Sequence, residues 1–172
     1  MEREPLREQL AACHEECFAW ALNCCDRDRR AAEEVTQTAY LKILDGRARF
    51  DGRSAFRTWI FAVIRRTAAD YRRREILRAL RLLPLEVQSE GPGGEPAPDA
   101  QVLEGERRDR LAGAVGRLAR RQREVVLLVF YHGHTVEEAG RILGVSAGSA
   151  RIHYARGKTK LRALLAGEEW RP

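Results

Sequence analysis

The sequence predicts an all-α protein: two small helical domains joined by a flexible linker. Three observations carry that reading. Apolar residues recur at steps of three and four along most of the chain, and no stretch alternates convincingly. One segment, "LPLEVQSEGPGGEPAPDA", breaks the pattern with Pro84, Pro92, Gly93, Gly94, Pro96 and Pro98, residues that do not suit a helix interior or a central strand. Charge changes sign at the same place. Residues 41–83 hold twelve basic and four acidic residues, residues 84–100 hold four acidic and no basic ones, and residues 101–172 hold fourteen basic and eight acidic. The division is therefore 1–83, an acidic Pro/Gly linker at 84–101, and 102–172.

With 172 residues, 44% of them hydrophobic and 33% charged, the chain suits a folded, soluble protein rather than a disordered one. Its longest apolar run, Val125 to Tyr131, is far short of the ~20 residues that span a bilayer, so no membrane insertion is expected. No secretory signal is seen, which predicts a cytoplasmic protein with reduced thiols. The net charge is +6, and only Lys42, Lys158 and Lys160 among the 31 cations are lysines. Codon usage in a GC-rich genome explains the arginine bias, and so does recognition of phosphates and guanine edges by guanidinium forks. The gathering of cations into two blocks points to nucleic acid.

In the first domain, Leu6, Leu10, Cys13, Cys17, Ala21 and Cys24 form one apolar stripe on an opening helix. A second helix from about Ala31 to Leu44 turns Ala32, Val35, Ala39 and Ile43 inward. Its opposite face carries Glu34, Gln37 and Leu41, where the leucine reads either as part of a partner surface or as an ordinary exposed residue. Gly46 and Gly52 then make a loop. A long helix from about Ser54 to Leu82 points Phe56, Ile60, Val63 and Thr67 inward. Trp59, Arg66 and Arg73 follow at seven-residue spacing beside Arg65 and Arg72. That face suits either single-strand nucleic acid or simple solvation.

In the second domain, helices from about Glu104 to Arg117 and from Arg121 to Tyr131 bury leucines and valines. Thr135 and Glu138 form a capping-box pattern that starts a helix carrying Val136, Ala139, Ile142 and Leu143 inward. Gly144 ends it, and Ser146 caps the next helix. Two helices joined by this tight turn make a helix-turn-helix, whose second helix enters the major groove. That helix presents Ser149, Arg151, His153, Arg156 and Lys158.

Three segments, in order, resemble the extracytoplasmic-function (ECF) group of bacterial sigma factors, the sigma-70 family members reduced to regions 2 and 4. "AAEEVTQTAYLKIL" is similar to region 2.1–2.2, "RFDGRSAFRTWIFAVIRRTAADYRRR" to region 2.3–2.4, and "RQREVVLLVFYHGHTVEEAGRILGVSAGSARIHYARGKTKLR" to region 4. The resemblance covers roughly residues 6–165. It implies that Glu34, Gln37 and Leu41 dock on the beta-prime clamp helices of core RNA polymerase, with further contact to the beta subunit. It implies that Phe50, Asp51, Gly52, Arg53 and Ser54 capture a base flipped from the −10 element, and that Trp59, Arg65 and Arg66 meet the separating strands. Ser149, Arg151 and His153 would read the −35 element, with Arg156 and Lys158 on phosphates nearby. It further implies promoter DNA as ligand, an anti-sigma factor as a partner, no cofactor and no catalysis. The acidic linker would run near the path of the nascent RNA, as a nucleic-acid mimic or as a plain solvated spacer.

Some positions depart from the family pattern. Arg66 replaces an asparagine used in −10 readout, Thr38 an acidic residue, and His153 an arginine. Gly140 and Gly157 replace alanines, and each helical glycine costs ~1 kcal/mol against alanine, which predicts a less rigid or more selective module. Cys13, Cys17, Cys24 and Cys25, with His14 nearby, leave three readings open: core packing, thiol-based sensing and a metal site. His132, His134 and His153 are too scattered to complete a ligand set. Two other functions stay open from the residues alone: a freestanding helix-turn-helix regulator and a cysteine-based redox or metal sensor.

Overall fold

The computed structural model describes the backbone over residues 3–82 and 102–166, and side chains over residues 5–80 and 109–166. The linker expected at 84–101 lies outside the described residues. The chain divides into two compact units, Met1–Gly94 and Glu95–Pro172. Among the described residues every regular element is an α-helix, and none is long and apolar enough to cross a membrane.

The first unit contains α1 (Arg3–Ala12), α2 (His14–Cys24), α3 (Arg29–Leu44) and α4 (Phe56–Leu82). Helices α2, α3 and α4 pack on one another, and α1 lies against α2 and α3. The single opening helix expected from the apolar stripe is in fact two helices. Cys13 leaves helical geometry at φ −105°, ψ 10° and becomes the N-cap residue of α2. Leu6, Leu10, Cys17, Ala21 and Cys24 are still buried, and Cys13 is half-buried. The break lets the Leu6/Leu10 row turn onto α3 as well as α2. No glycine or proline marks it in the sequence, so periodicity runs straight through.

Trp20 anchors this core. It is fully buried, stacks nearly parallel on Phe61 of α4 (5.7 Å, 6°), and its Nε1–H donates to the Phe61 carbonyl at 3.1 Å. Helix α3 begins at Arg29, two residues before the expected start, because the Asp28 carboxylate accepts from the Ala31 N–H at 3.0 Å. Ala32, Val35, Ala39 and Ile43 are buried as expected, and the alanines let α2 and α4 approach closely. On α4, Ile60, Val63 and Thr67 are buried as expected. Phe56 is only half-buried, while Thr58, Phe61, Ile64 and Ala68 widen the buried stripe.

The second unit contains α5 (Val102–Gly116), α6 (Arg120–Phe130), α7 (Val136–Leu143) and α8 (Ala147–Ala166), with α8 packed on the other three. Ala114, Leu118, Val125, Val126, Leu128, Ala139, Ile142, Leu143 and Ala150 form its core. Val136 is half-buried rather than inward. The capping box is complete: the Thr135 hydroxyl accepts from Glu138 N–H, and the Glu138 carboxylate accepts from Thr135 N–H at 2.8 Å. Gly144 closes α7 in the left-handed region (φ 63°, ψ 38°). Ser146 Oγ accepts from Ser149 N–H at 3.1 Å and starts α8.

The glycines at 140 and 157 have a reason other than looseness. A Cβ on Gly140 would lie 3.3 Å from both Ala150 Cβ and the Val145 carbonyl; one on Gly157 would lie 2.8 Å from Val126 Cγ2. Both are buried positions at which α8 meets α7 or α6 at close range. The propensity cost is offset by the helix contacts that it permits.

Candidate nucleic-acid interface

The loop between α3 and α4 is shaped by Gly46 and Gly52, both at positive φ (72° and 74°). It brings Phe50 onto the first turns of α4. Phe50 meets Phe56 edge-on (5.6 Å, 85°) and leans on Trp59 (5.3 Å, 52°), and Phe56 and Trp59 touch each other (5.4 Å, 44°). Asp51, Gly52 and Arg53 are exposed around the cluster, and Ser54 is half-buried. Asp51 steadies the turn by accepting from Arg53 N–H at 3.2 Å.

Two cavities flank Trp59. One of about 380 Å³ is lined by Leu6, Ile43, Leu44, Arg49 and Phe50. The other, of about 400 Å³, is lined by Lys42, Arg47, Arg49, Arg66 and Asp70. Lys42 Nζ donates to Thr67 Oγ1 at 3.2 Å and Asp70 Oδ2 at 3.4 Å. The expected residues Phe50, Trp59 and Arg66 are therefore gathered at one place, with Arg65 half-buried beside them on α4. Lys42, Arg47 and Arg49 were missed by the sequence reading. Their membership in the basic block around Phe50 was the available signal. A ring platform walled by cations suits an unpaired base with its phosphates.

On α3, Glu34, Gln37 and Leu41 form one exposed row, with Leu41 51% exposed.

On α8 the five expected residues do not form one row. At 3.6 residues per turn, Ser149, His153 and Arg156 share one flank while Arg151 and Lys158 share the other. Between them lies Ile152, 53% exposed, which the sequence reading passed over. Arg151 reaches back to α7, placing Nη2 2.6 Å and Nε 3.2 Å from Glu137 Oε1. That guanidinium holds the Glu137 carboxyl below its ordinary value. Lys158 Nζ sits 4.7 Å over the Tyr154 ring. Of the five, Arg151 and Arg156 are exposed, and Ser149, His153 and Lys158 are half-buried.

Among the described residues no cluster of three or more His, Cys, Asp or Glu side chains could hold a metal ion. Cys17, Cys24 and Cys25 are buried and Cys13 half-buried.

An aromatic, cation-walled loop site on one unit and a capped helix-turn-helix on the other define a two-module DNA-binding protein. Residues 12–76 match the family model for sigma-70 region 2, and residues 108–161 match that for sigma-70 region 4. RNA polymerase sigma factor CarQ of Myxococcus xanthus is 30% identical over 139 residues, 81% of this chain and 77% of that protein. Sigma factor CnrH of Cupriavidus metallidurans is 29% identical over 162 residues, 91% and 85% of the two chains. ECF sigma factor SigX of Bacillus subtilis is 25% identical over 138 residues, 79% and 71%. Among solved structures, the sigma factor RpoE in complex with the anti-sigma factor NepR, from Bartonella quintana, superposes with a TM-score of 0.71 at 20% identity, over 96% of this chain and 99% of that one. CnrH in complex with the cytosolic domain of CnrY gives 0.60 at 24% identity, over 94% and 88%. This chain belongs to the ECF group of the sigma-70 family, the transcription-initiation factors of bacterial RNA polymerase.

Proposed function

We propose that this protein binds core RNA polymerase, recognises a promoter at its −35 and −10 elements, and promotes strand opening. Residues 1–83 take the polymerase and the −10 element, 84–101 connect, and 102–172 take the −35 element. Glu34, Gln37 and Leu41 dock on the beta-prime clamp helices, with further contact to the beta subunit. Ser149, Arg151 and His153 read duplex base edges, and Arg156 and Lys158 hold phosphates. Phe50 to Ser54 capture an unpaired base, with Trp59, Arg65 and Arg66 along the separating strands.

The observation that carries this reading is the Phe50–Phe56–Trp59 cluster beside a cavity lined by Lys42, Arg47, Arg49 and Arg66. A regulator that reads only duplex DNA has no use for it. Each opened duplex step loses ~1.4 kcal/mol of stacking. Stacking of a freed base on an aromatic returns ~1–3 kcal/mol. Each bidentate base contact upstream discriminates by ~1–3 kcal/mol and so fixes the register. The solved complexes of RpoE with NepR and of CnrH with CnrY support an anti-sigma partner here too.

The test is transcription by sigma-free core polymerase on a promoter library, with and without the protein. Specific initiation with a shared upstream and downstream motif is the expected result. Duplex binding without association with core polymerase would replace the proposal with a freestanding regulator.

A further inference from the structure

We propose that Cys13 and Cys17 form a peroxide-oxidised thiol pair, in which Cys13 reacts first and Cys17 closes a disulfide. The two sulfurs are already in contact, with the Cys17 S–H directed at Cys13 Sγ at 3.6 Å. Cys13 is half-buried and so reachable by a small hydroperoxide; Cys17 is fully buried one turn further on. Cys13 stands at the break between α1 and α2, where its S–H donates to the Leu10 carbonyl at 3.6 Å and makes no cap contact to α2. Glu16, whose charge opposes a Cys13 thiolate, is tied up in an ion pair with Arg57 of α4. The Cys17 contact, the largest influence, holds the Cys13 thiol below its ordinary value, whereas that same contact and burial push Cys17 up.

The chemistry balances with one hydroperoxide molecule. The Cys13 thiolate attacks the peroxide oxygen, forming the S–O bond of a sulfenic acid and releasing hydroxide. Cys17 sulfur then attacks the Cys13 sulfur, the S–O bond breaks and the departing hydroxide takes the Cys17 proton to leave as water, while the hydroxide of the first step takes the proton that Cys13 lost on ionising. Two thiols and one peroxide become one disulfide and two waters.

The helix break is also what makes the bridge possible. In an unbroken helix, residues four apart hold their Cβ atoms ~5–6 Å from each other, whereas a disulfide needs ~3.5–4.5 Å. The backbone at Cys13 can take up that difference because it has already left helical geometry. Cys17 is locked in the α2–α3–α4 core, so closure displaces α1. Leu6 of α1 lines the cavity that Phe50 and Trp59 share, and on the strand-capture reading the thiol state thereby reaches the −10 site.

Reduced full-length protein treated with hydrogen peroxide is expected to lose about 2 Da, the two thiol hydrogens, and to regain them with dithiothreitol. Cleavage after Glu15 and Glu16 separates Cys13 from the other cysteines, and fragmentation of the linked peptide is expected to place the bridge at Cys17. Amide exchange over residues 6–12 is expected to rise on oxidation. An unchanged mass, a Cys24–Cys25 bridge, or over-oxidation of Cys13 without a bridge would overturn the proposal. Unchanged exchange across α1 would overturn its displacement. In Cys17→Ala, dimedone is expected to trap a sulfenic acid at Cys13. Should that variant fail to fold, the mass and fragmentation of the native chain decide alone.

Discussion

Arg151 of α8 is held by Glu137 of α7, with two guanidinium nitrogens on one carboxylate oxygen at 2.6 and 3.2 Å. The residue expected to read a −35 base is thus bound by its own domain before DNA arrives. Binding must exchange the Glu137 carboxylate for a base edge. Glu137→Gln is expected to tighten duplex affinity by about 2–5-fold, the scale of an exposed ion pair. Arg151→Ala is expected to weaken promoter binding and leave polymerase binding intact. Anisotropy titrations at one fixed salt concentration check both. Equal affinity of Glu137→Gln and the native protein would show that the pair does not compete with DNA.

The same pair sets a pH signature. Hydrogen bonding to Arg151 lowers the Glu137 carboxyl, so the folded value lies below the unfolded one. The pair's contribution is therefore complete above the ordinary glutamate value and is lost as pH falls through the lowered folded value. A side-chain carboxyl NMR titration is expected to place Glu137 below the ordinary glutamate value, and Arg151→Ala is expected to return it there.

Phe50 is expected to matter for strand opening and not for initial binding. Its ring packs on Phe56 and Trp59. Phe50→Ala is expected to form a closed complex with core polymerase and duplex promoter. Loss of one stacked base at ~1–3 kcal/mol then predicts on the order of 5–150-fold fewer open complexes. Permanganate reactivity of unpaired thymines at −10 reports this directly, and native-level reactivity would remove Phe50 from strand capture.

What was legible in the sequence was whatever a local rule encodes. Thr135, Glu138, Gly144 and Ser146 mark the ends of α7 and the start of α8, and each makes the backbone contact that its residue type predicts. The inner row of α3 was legible because Ala32, Val35, Ala39 and Ile43 keep strict helical spacing. The break at Cys13 was not, because no glycine or proline marks it. Lys42 and Arg49 reach the Trp59 cavities only through the fold of the loop, which no periodicity describes. The Arg151–Glu137 pair spans fourteen positions and two helices, beyond any single-helix pattern.

Gly157 and Gly113 separate propensity from packing within one unit. By propensity alone, alanine in either helix interior adds up to ~1 kcal/mol. At Gly113 of α5 nothing lies within 4 Å of the added methyl, so Gly113→Ala is expected to raise the melting temperature of the second unit. At Gly157 the methyl would lie 2.8 Å from Val126 Cγ2, and Val126 is 3% exposed with nowhere to move. Overpacking of this kind costs ~1–3 kcal/mol, which exceeds the propensity gain, so Gly157→Ala is expected to lower the melting temperature. A shift of 1 kcal/mol is ~4–8 °C for a unit of this size. Combining Gly157→Ala with Val126→Ala removes the clashing methyl. The pair is then expected to be less destabilised than the two single losses added together, because the sites share one contact. Strict additivity in that double-mutant cycle would mean that Val126 is not what holds position 157.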